Sequence, residues 1–362
     1  MATETRTQGV TPELAAVLER ARWAPSGDNT QPWRFRALGA DEIEVLYRPS
    51  DALGVFNLDH FAGHLAMGAL LESIDIAASM HGWRAVIATD HAGEGRFPIG
   101  FEAAGRAASP LLPFLQERAT QRRPLSPKRL TGAQKRILEA SVGAAFSVEW
   151  VEGAGAKARL GVLLARVDKV RLTIPETFAV HRDTVAWGAR FSEDRIPDAA
   201  IAVDPLLLRV MRWAMQSWSR VHFLNRYLWG HGLPRVEMDL LPSLFCGAHA
   251  LLVSQTPMSS VGDVIAGGRA MQRLWLTAAS LGLQAQPEMA PVIFSRYAAG
   301  ATAFTEVAEQ RLYAAALSGR FADFFGAGNW TQATFLMRFG FGAPAQSRSL
   351  RKPLSDLWIS DE

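Results

Sequence analysis

Two long stretches, residues 61–81 and 263–281, constrain this chain most: both read as largely apolar helices, and both have to be buried. They end alike. Ile76-Ala77-Ala78-Ser79-Met80-His81-Gly82-Trp83 compares with Thr277-Ala278-Ala279-Ser280-Leu281-Gly282-Leu283, allowing one extra residue before the first glycine. Similar helices about 200 residues apart predict an internal duplication, for which 362 residues leave room. Any buried helix rich in alanine and leucine would match as well, so the parallel needs support from elsewhere in the chain.

The surrounding pattern mixes helices and strands. Thr11-Pro12-Glu13 opens a helix that runs to about Trp23 and stops at Pro25. Ser26-Gly27-Asp28-Asn29 is turn chemistry, residues 31–35 look extended, and residues 42–47 alternate as a half-buried strand does. Residues 83–88 read as another strand. Prolines at 110, 113, 124 and 127, with arginines at 118, 122 and 123, mark a boundary, giving expected halves of 1–112 and 113–362. In the second half, 132–140 and 156–170 read as helices, and 146–151 and 244–253 as strands. Residues 182–241 are helix-rich and contain several tryptophans.

Composition narrows the partners. Formal net charge is only +3 although the pI is near 9.2, and no dense basic run interleaves with aromatics as a nucleic-acid groove requires. Scattered arginines fit an anionic small molecule better. The single cysteine, Cys246, forbids an intramolecular disulfide and is compatible with a reducing compartment. The first ten residues carry no apolar signal core, and no uncharged apolar run reaches the roughly 20 residues of a membrane span. The expectation is a soluble, cytoplasmic protein.

The segment Arg22-Trp23-Ala24-Pro25-Ser26-Gly27-Asp28-Asn29-Thr30-Gln31-Pro32-Trp33 resembles the flavin-binding segment of the FMN-dependent nitroreductase superfamily. In ordinary members an Arg-x-Ser-x-Arg/Lys motif precedes it by about one helix, and the residues before Thr11 contain none. Arg118-Ala119-Thr120-Gln121-Arg122-Arg123-Pro124 resembles the missing motif, with threonine for serine, yet no Pro-Ser-Asn turn follows it. Each half lacks what the other supplies. Homodimeric members build each flavin site from two subunits, so the resemblance implies a fused pseudo-dimer with one complete site, as in the long, Acg-like branch. The implied fold is α+β, a nitroreductase-like α/β/α sandwich duplicated within one chain. Leu281 to Pro291 looks like the family's segment beside the flavin ring, and Arg338 to Gly342 with Arg348 to Leu354 like its C-terminal strand and basic tail.

The resemblance implies these roles. Arg118 and Arg351 are the phosphate candidates with Arg348 in reserve, since a guanidinium matches phosphate oxygens with two donors. Thr120 would bond the ribityl chain or phosphate. Arg122 falls where the family puts a cation beside flavin N1 and O2, which stabilises the reduced ring. Pro25, Ser26, Gly27 and Asn29 would pack against the ring, and the Met289 and Ala290 amides would lie near N5. The implied activity is an FMN oxidoreductase passing electrons from NADH or NADPH, or another reductant, to a small organic acceptor. The alternative is a flavin-binding or flavin-sequestering protein without turnover. The chain would be a monomeric pseudo-dimer or a homodimer.

Other constellations are weaker. His60 and His64 share a helical face but lack a third ligand, so no metal is expected. Cys246 and His249 lie on what reads as a core strand, where cysteine is usually a small hydrophobe. Gly153-Ala154-Gly155, after a strand and before a helix, hints at a dinucleotide loop only weakly, since the third glycine is misplaced. Residues 207–229 are amphipathic, with Arg209, Arg212 and Arg220 near one face and Leu207, Ala214, Trp218 and Val221 on the other. A membrane-surface helix has this pattern, and so does a lid over the flavin; the lid, spanning about 182–241, is the preferred reading.

Overall fold

The computed structural model describes residues 9–359. Helix α1 (Pro12–Ala21) starts as its sequence requires: Thr11 accepts the Leu14 amide, and Pro12 fills the first turn. Strands β1 (Trp33–Gly39) and β2 (Glu42–Tyr47) form a hairpin, and α2 (Phe61–Ala78) leads to β3 (Trp83–Ile87) and β4 (Arg96–Ala103). The second half contains α3 (Gly132–Ser141), β5 (Phe146–Val151), α4 (Ala154–Thr173), α5 (Pro175–Thr184), α6 (Pro205–Ala214) and α7 (Trp218–Tyr227). It continues with β6 (Ala248–Ser254), α8 (Val261–Ser280), β7 (Gln284–Pro287), α9 (Ala290–Ala299), α10 (Ala308–Phe325) and β8 (Ala333–Gly340).

Each half carries one four-stranded antiparallel sheet, in the orders β1-β2-β4-β3 and β5-β6-β8-β7. In chain order both run first, second, fourth, third, and each long helix joins the second strand to the third. The two long helices pack on each other. α2 is buried almost all round, which explains why it lacks a polar face. It is the one helix among the described residues long and apolar enough to cross a membrane, and it lies inside the fold. Gly82 (φ +71°) and Gly282 (φ +72°) end the two helices in the left-handed conformation that favours glycine. These glycines stand two hundred positions apart with no gap, so the extra residue allowed in the sequence comparison is unnecessary.

The glycines also set how closely the helices cross. A Cβ on Gly68 would lie 2.8 Å from Gly268 Cα, and a Cβ on Gly268 would lie 2.9 Å from Gly68 Cα. Beside this seam, buried Glu72 accepts from Arg269 (2.8 Å) and Arg273 (2.9 Å), and Gln272 donates to Ser73 Oγ (2.9 Å). Two apolar cores result, and each borrows from the other half. Leu65 and Ala69 of α2 join the second core, while Ile265 and Leu276 of α8 join the first. The C-terminal tail crosses back as well: Leu354, Leu357 and Trp358 are buried in the first core, and the Ile359 amide donates to Phe35 O.

Several elements differ from expectation. β4 was not anticipated, because Gly100 and Pro98 break its alternation. The strand expected from 244 begins at Ala248, so Cys246 lies in the turn before it, with the Gly247 amide on Phe339 O (2.7 Å). Residues 185–201, within the stretch read as helix-rich, instead form a strap of two-residue strands and a single 3-10 turn (Asp198–Ala200), and α-helix resumes at Pro205. Pro197 and the Ser192–Arg195 turn interrupt any helical run there.

Candidate functional site

The site begins at the turn after α1. Asp28, Asn29 and Gln31 all have positive φ (47°, 63° and 50°), a conformation costly for any residue but glycine. Tertiary contacts hold it. Ser26 Oγ accepts the Gln31 amide (3.0 Å), and Asn29 Oδ1 accepts from Arg351 Nη1 (2.9 Å), 322 residues away in sequence. Pro25 is buried, and Gly27 is exposed with Leu53 close beneath it.

Three guanidiniums, one from residue 118 and two from the C-terminal tail, meet at Trp23 and Ala24. Arg351 Nε donates to Ala24 O (2.9 Å) and Arg118 Nη2 to Trp23 O (2.9 Å). Arg348 lies 4.9 Å above the Trp23 ring and donates to Gln116 O (2.7 Å). Arg118 also covers the Trp275 ring of α8 at 4.4 Å. Among the described residues, none of the three pairs with a carboxylate. Burial, and then the charges of Arg351 and Arg348, push the Arg118 pKa well down. Burial, with Arg348 and Arg22 nearby, lowers Arg351 to about 9. Burial also lowers Arg348. Arg118 Nε, Arg348 Nε and Trp23 Nε1 are buried without a hydrogen-bond partner. A cluster of cations with unused donors and no counter-ion is arranged for an anion.

From Arg118 the chain runs beside β7: Thr120 bridges Ala285, and the Gln121 amide donates to Ala285 O (2.9 Å). Arg122 follows. Burial lowers its pKa to about 10 against the opposing attraction of Asp28, while Arg338 and Arg171 repel it. Asp28 in turn is raised by burial despite these arginines. Met289 and Ala290 stand where β7 gives way to α9, with Met289 as the residue before its first turn. The structure therefore gathers Pro25, Ser26, Gly27, Asn29, Arg118, Arg348 and Arg351 at the Trp23 corner. Thr120 lies beside Ala285 of β7 with Arg122 two residues on, and Met289 and Ala290 follow that strand at the start of α9.

The strap lies over this assembly. Asn29 Nδ2 donates to Glu193 O (3.0 Å) and Arg195 O (3.4 Å), Gln31 Nε2 to Glu193 O (2.8 Å), and Arg122 Nη1 to Ala200 O (3.1 Å). The tail joins it too, with the Leu350 amide on Ser192 O (2.7 Å). The Asn29 amide is thus engaged on both sides by protein groups, between tail and strap.

Sequence reasoning missed a polar interior behind Arg122. His249 Nδ1 lies 2.7 Å from Glu288 Oε2 and its Nε2 lies 3.2 Å from Ser243 O. Both ring nitrogens face acceptors, so both carry protons. Burial pushes the imidazole down, but the Glu288 carboxylate prevails and holds its pKa at about 10. Arg338 Nη1 meets the other Glu288 oxygen (3.4 Å), and its Nη2 donates to Arg122 O (2.8 Å). Near Glu288 lies a carboxyl pair. Asp168 receives Arg171 Nε (2.9 Å), and burial together with Asp168 pushes the Asp239 carboxyl well above the carboxylate range. His181 is lowered to about 3 by burial and by Arg171. The available signals were small: one histidine in an apolar strand, and Asp168 as the only acidic residue in a helix with five basic ones. Cys246 is buried and donates to Ser243 O (3.2 Å), while His60 faces the Tyr47 hydroxyl (3.2 Å). No metal-binding group of three or more His, Cys, Asp or Glu occurs among the described residues.

No protein-family model matches the chain, and no curated protein does. Among solved structures it is similar to the FMN-dependent nitroreductase NfnB from Mycobacterium smegmatis in complex with NADPH. The identity is 15% over 69% of this chain and 96% of that one, with a TM-score of 0.34.

Proposed function

We propose that this chain binds FMN in the composite site and works as a flavin oxidoreductase, passing electrons from NADH, NADPH or another reductant to a small organic acceptor. The observation that carries the reading is the Arg118, Arg348 and Arg351 cluster, with unused Nε donors on Arg118 and Arg348 and no carboxylate partner among the described residues. A phosphate dianion would relieve the mutual repulsion of the guanidiniums and use the free Nε–H groups of Arg118 and Arg348. Thr120 would add a hydroxyl toward the phosphate or ribityl chain. At the other end, Arg122 would place positive charge near the ring, backed by Arg338 on its carbonyl. When bound, FMN supplies the hydride chemistry itself. The chain's own residues then hold the phosphate, orient the ring from Pro25 to Asn29 and from Met289 and Ala290, and exclude water beneath the strap.

We propose further that the chain is a fused pseudo-dimer. In support, both sheets share one strand order, both long helices occupy the same place in it, and the Gly68–Gly268 crossing relates them. A second reading, flavin binding without turnover, draws support from the strap, whose carbonyls hold the Asn29, Gln31 and Arg122 donors. The visible spectrum of the purified protein, before and after denaturation and with added NADH or NADPH, tests these readings. Yellow protein releasing one FMN per chain, bleached by a nicotinamide, is the expected result. Flavin that stays oxidised would favour the second reading. Colourless protein that takes up no added FMN would overturn both.

A further inference from the structure

The outer face of α6 and α7 carries an unusual pairing of exposed apolar side chains with unpaired arginines. On α6 only Leu207 and Ala214 are buried, and α7 buries no residue fully. α7 is fastened by Asn225 Nδ2 on Leu172 O (2.7 Å) and by the Trp218 ring against Phe178 (5.7 Å). Its opposite side faces water. Leu206 is 68% exposed, Trp213 46%, Phe223 51%, Tyr227 70% and Trp229 64%. Large apolar side chains exposed to this extent within one short segment mark an interaction face.

Charge decides what the face meets. From Pro205 to Arg235 the sequence contains five arginines and neither aspartate nor glutamate, in a chain whose net charge is only +3. Among the described residues, Arg209, Arg212 and Arg226 have no carboxylate partner, and all three are exposed. Arg209 and Arg212 are exposed while Leu207 and Ala214 on the same helix are buried, as the helical phase implies, and Leu206, Val210 and Trp213 are exposed with the arginines. Cations interleaved with leucine, tryptophan and tyrosine suit the boundary between anionic headgroups and acyl chains. A nucleic acid would meet the arginines and leave Leu206 and Phe223 in water. A second copy docked across a two-fold axis would set arginine against arginine. Behind Trp229 a cavity of about 170 Å³, lined by Val162, Ala165, Val236 and Leu240 among others, continues the apolar surface inward.

We propose that this face docks the protein on anionic lipid membranes, with the Trp213, Phe223, Tyr227 and Trp229 side chains at the interface and the arginines on headgroup phosphates. The attachment is to the surface only and stands apart from the flavin reading. Cosedimentation of the full chain with vesicles tests it, comparing phosphatidylcholine alone with equal parts phosphatidylcholine and phosphatidylglycerol. The expected result is at least ~10-fold more protein on the anionic vesicles, reduced by raised salt. Brominated acyl chains should quench tryptophan emission, and the Trp213→Ser, Trp229→Ser double variant should lose that quenching. Arg209→Gln with Arg212→Gln should weaken anionic binding about 30-fold without moving the melting temperature. Equal affinity for both vesicle types, no pelleting of the unaltered protein, or a concentration-dependent dimer in place of vesicle binding would each overturn the proposal.

Discussion

Gly68 of α2 and Gly268 of α8 cross backbone to backbone, two hundred positions apart in one chain, each in the space a Cβ on the other would need. Gly68→Ala or Gly268→Ala must therefore push the helices apart, at a cost of about 2–3 kcal/mol or more. Gly155→Ala in α4, where a Cβ meets nothing within 4 Å, should instead stabilise by about 0.5–1 kcal/mol. Urea unfolding of the three variants checks the contrast, and equal effects at all three sites would contradict the crossing.

The arginine cluster sets stability against binding. Arg118→Met keeps the packing on Trp275 and removes one of three like charges, so the flavin-free protein should melt higher. Its FMN affinity should fall by about 10–100-fold, the worth of a charged hydrogen bond or two. Calorimetry of the free protein and flavin titration read the two effects separately. A variant that binds FMN as tightly as the parent would remove Arg118 from the site.

Two groups of histidines give stability opposite pH dependences. His249 has its pKa raised to about 10, so its contribution is complete below an unfolded value of about 6.5 and is lost as pH rises through about 10. His181 and His64 are lowered to about 3 and about 4, so their contribution is present above about 6.5 and is lost as pH falls toward those values. Melting temperature should drop on both sides. His249→Gln should flatten the alkaline limb and His181→Gln the acid one, and a profile unchanged by either would refute the assignments.

Asn29 ties the turn to both tail and strap. Asn29→Ala removes two donors to strap carbonyls and the acceptor of Arg351, at an expected cost of about 1–3 kcal/mol. Amide exchange in residues 190–200 should quicken, and FMN affinity should fall with it. Unchanged exchange there would mean that the strap is held by other contacts.

What the sequence made legible was local or repeated. Thr11-Pro12 started its helix, Gly82 and Gly282 ended theirs, and the turn at 26–29 was visible from residue type alone. The meeting of Arg118, Arg348 and Arg351 at Trp23 became an expectation only through a family resemblance, because no local pattern links residues more than 200 positions apart. The Glu288–His249–Arg338 group was illegible for a different reason. Each member sits on a separate strand or strand end, and a single polar residue in an apolar run does not name its partner. The strap was misread as helix because its shape depends on the tail and turn beneath it.

The glycine seam has a mechanical consequence. Two helices touching through their backbones at one point and locked beside it by Glu72 with Arg269 and Arg273, with each half's core completed by the other's helix, oppose sliding of the sheets. Hinge closure between the halves, a common way of admitting and sealing a ligand, is therefore denied to this chain. Entry to the Asn29 and Arg122 donors has to come from peeling the strap, so its local opening rate would cap how fast any occupant arrives or leaves.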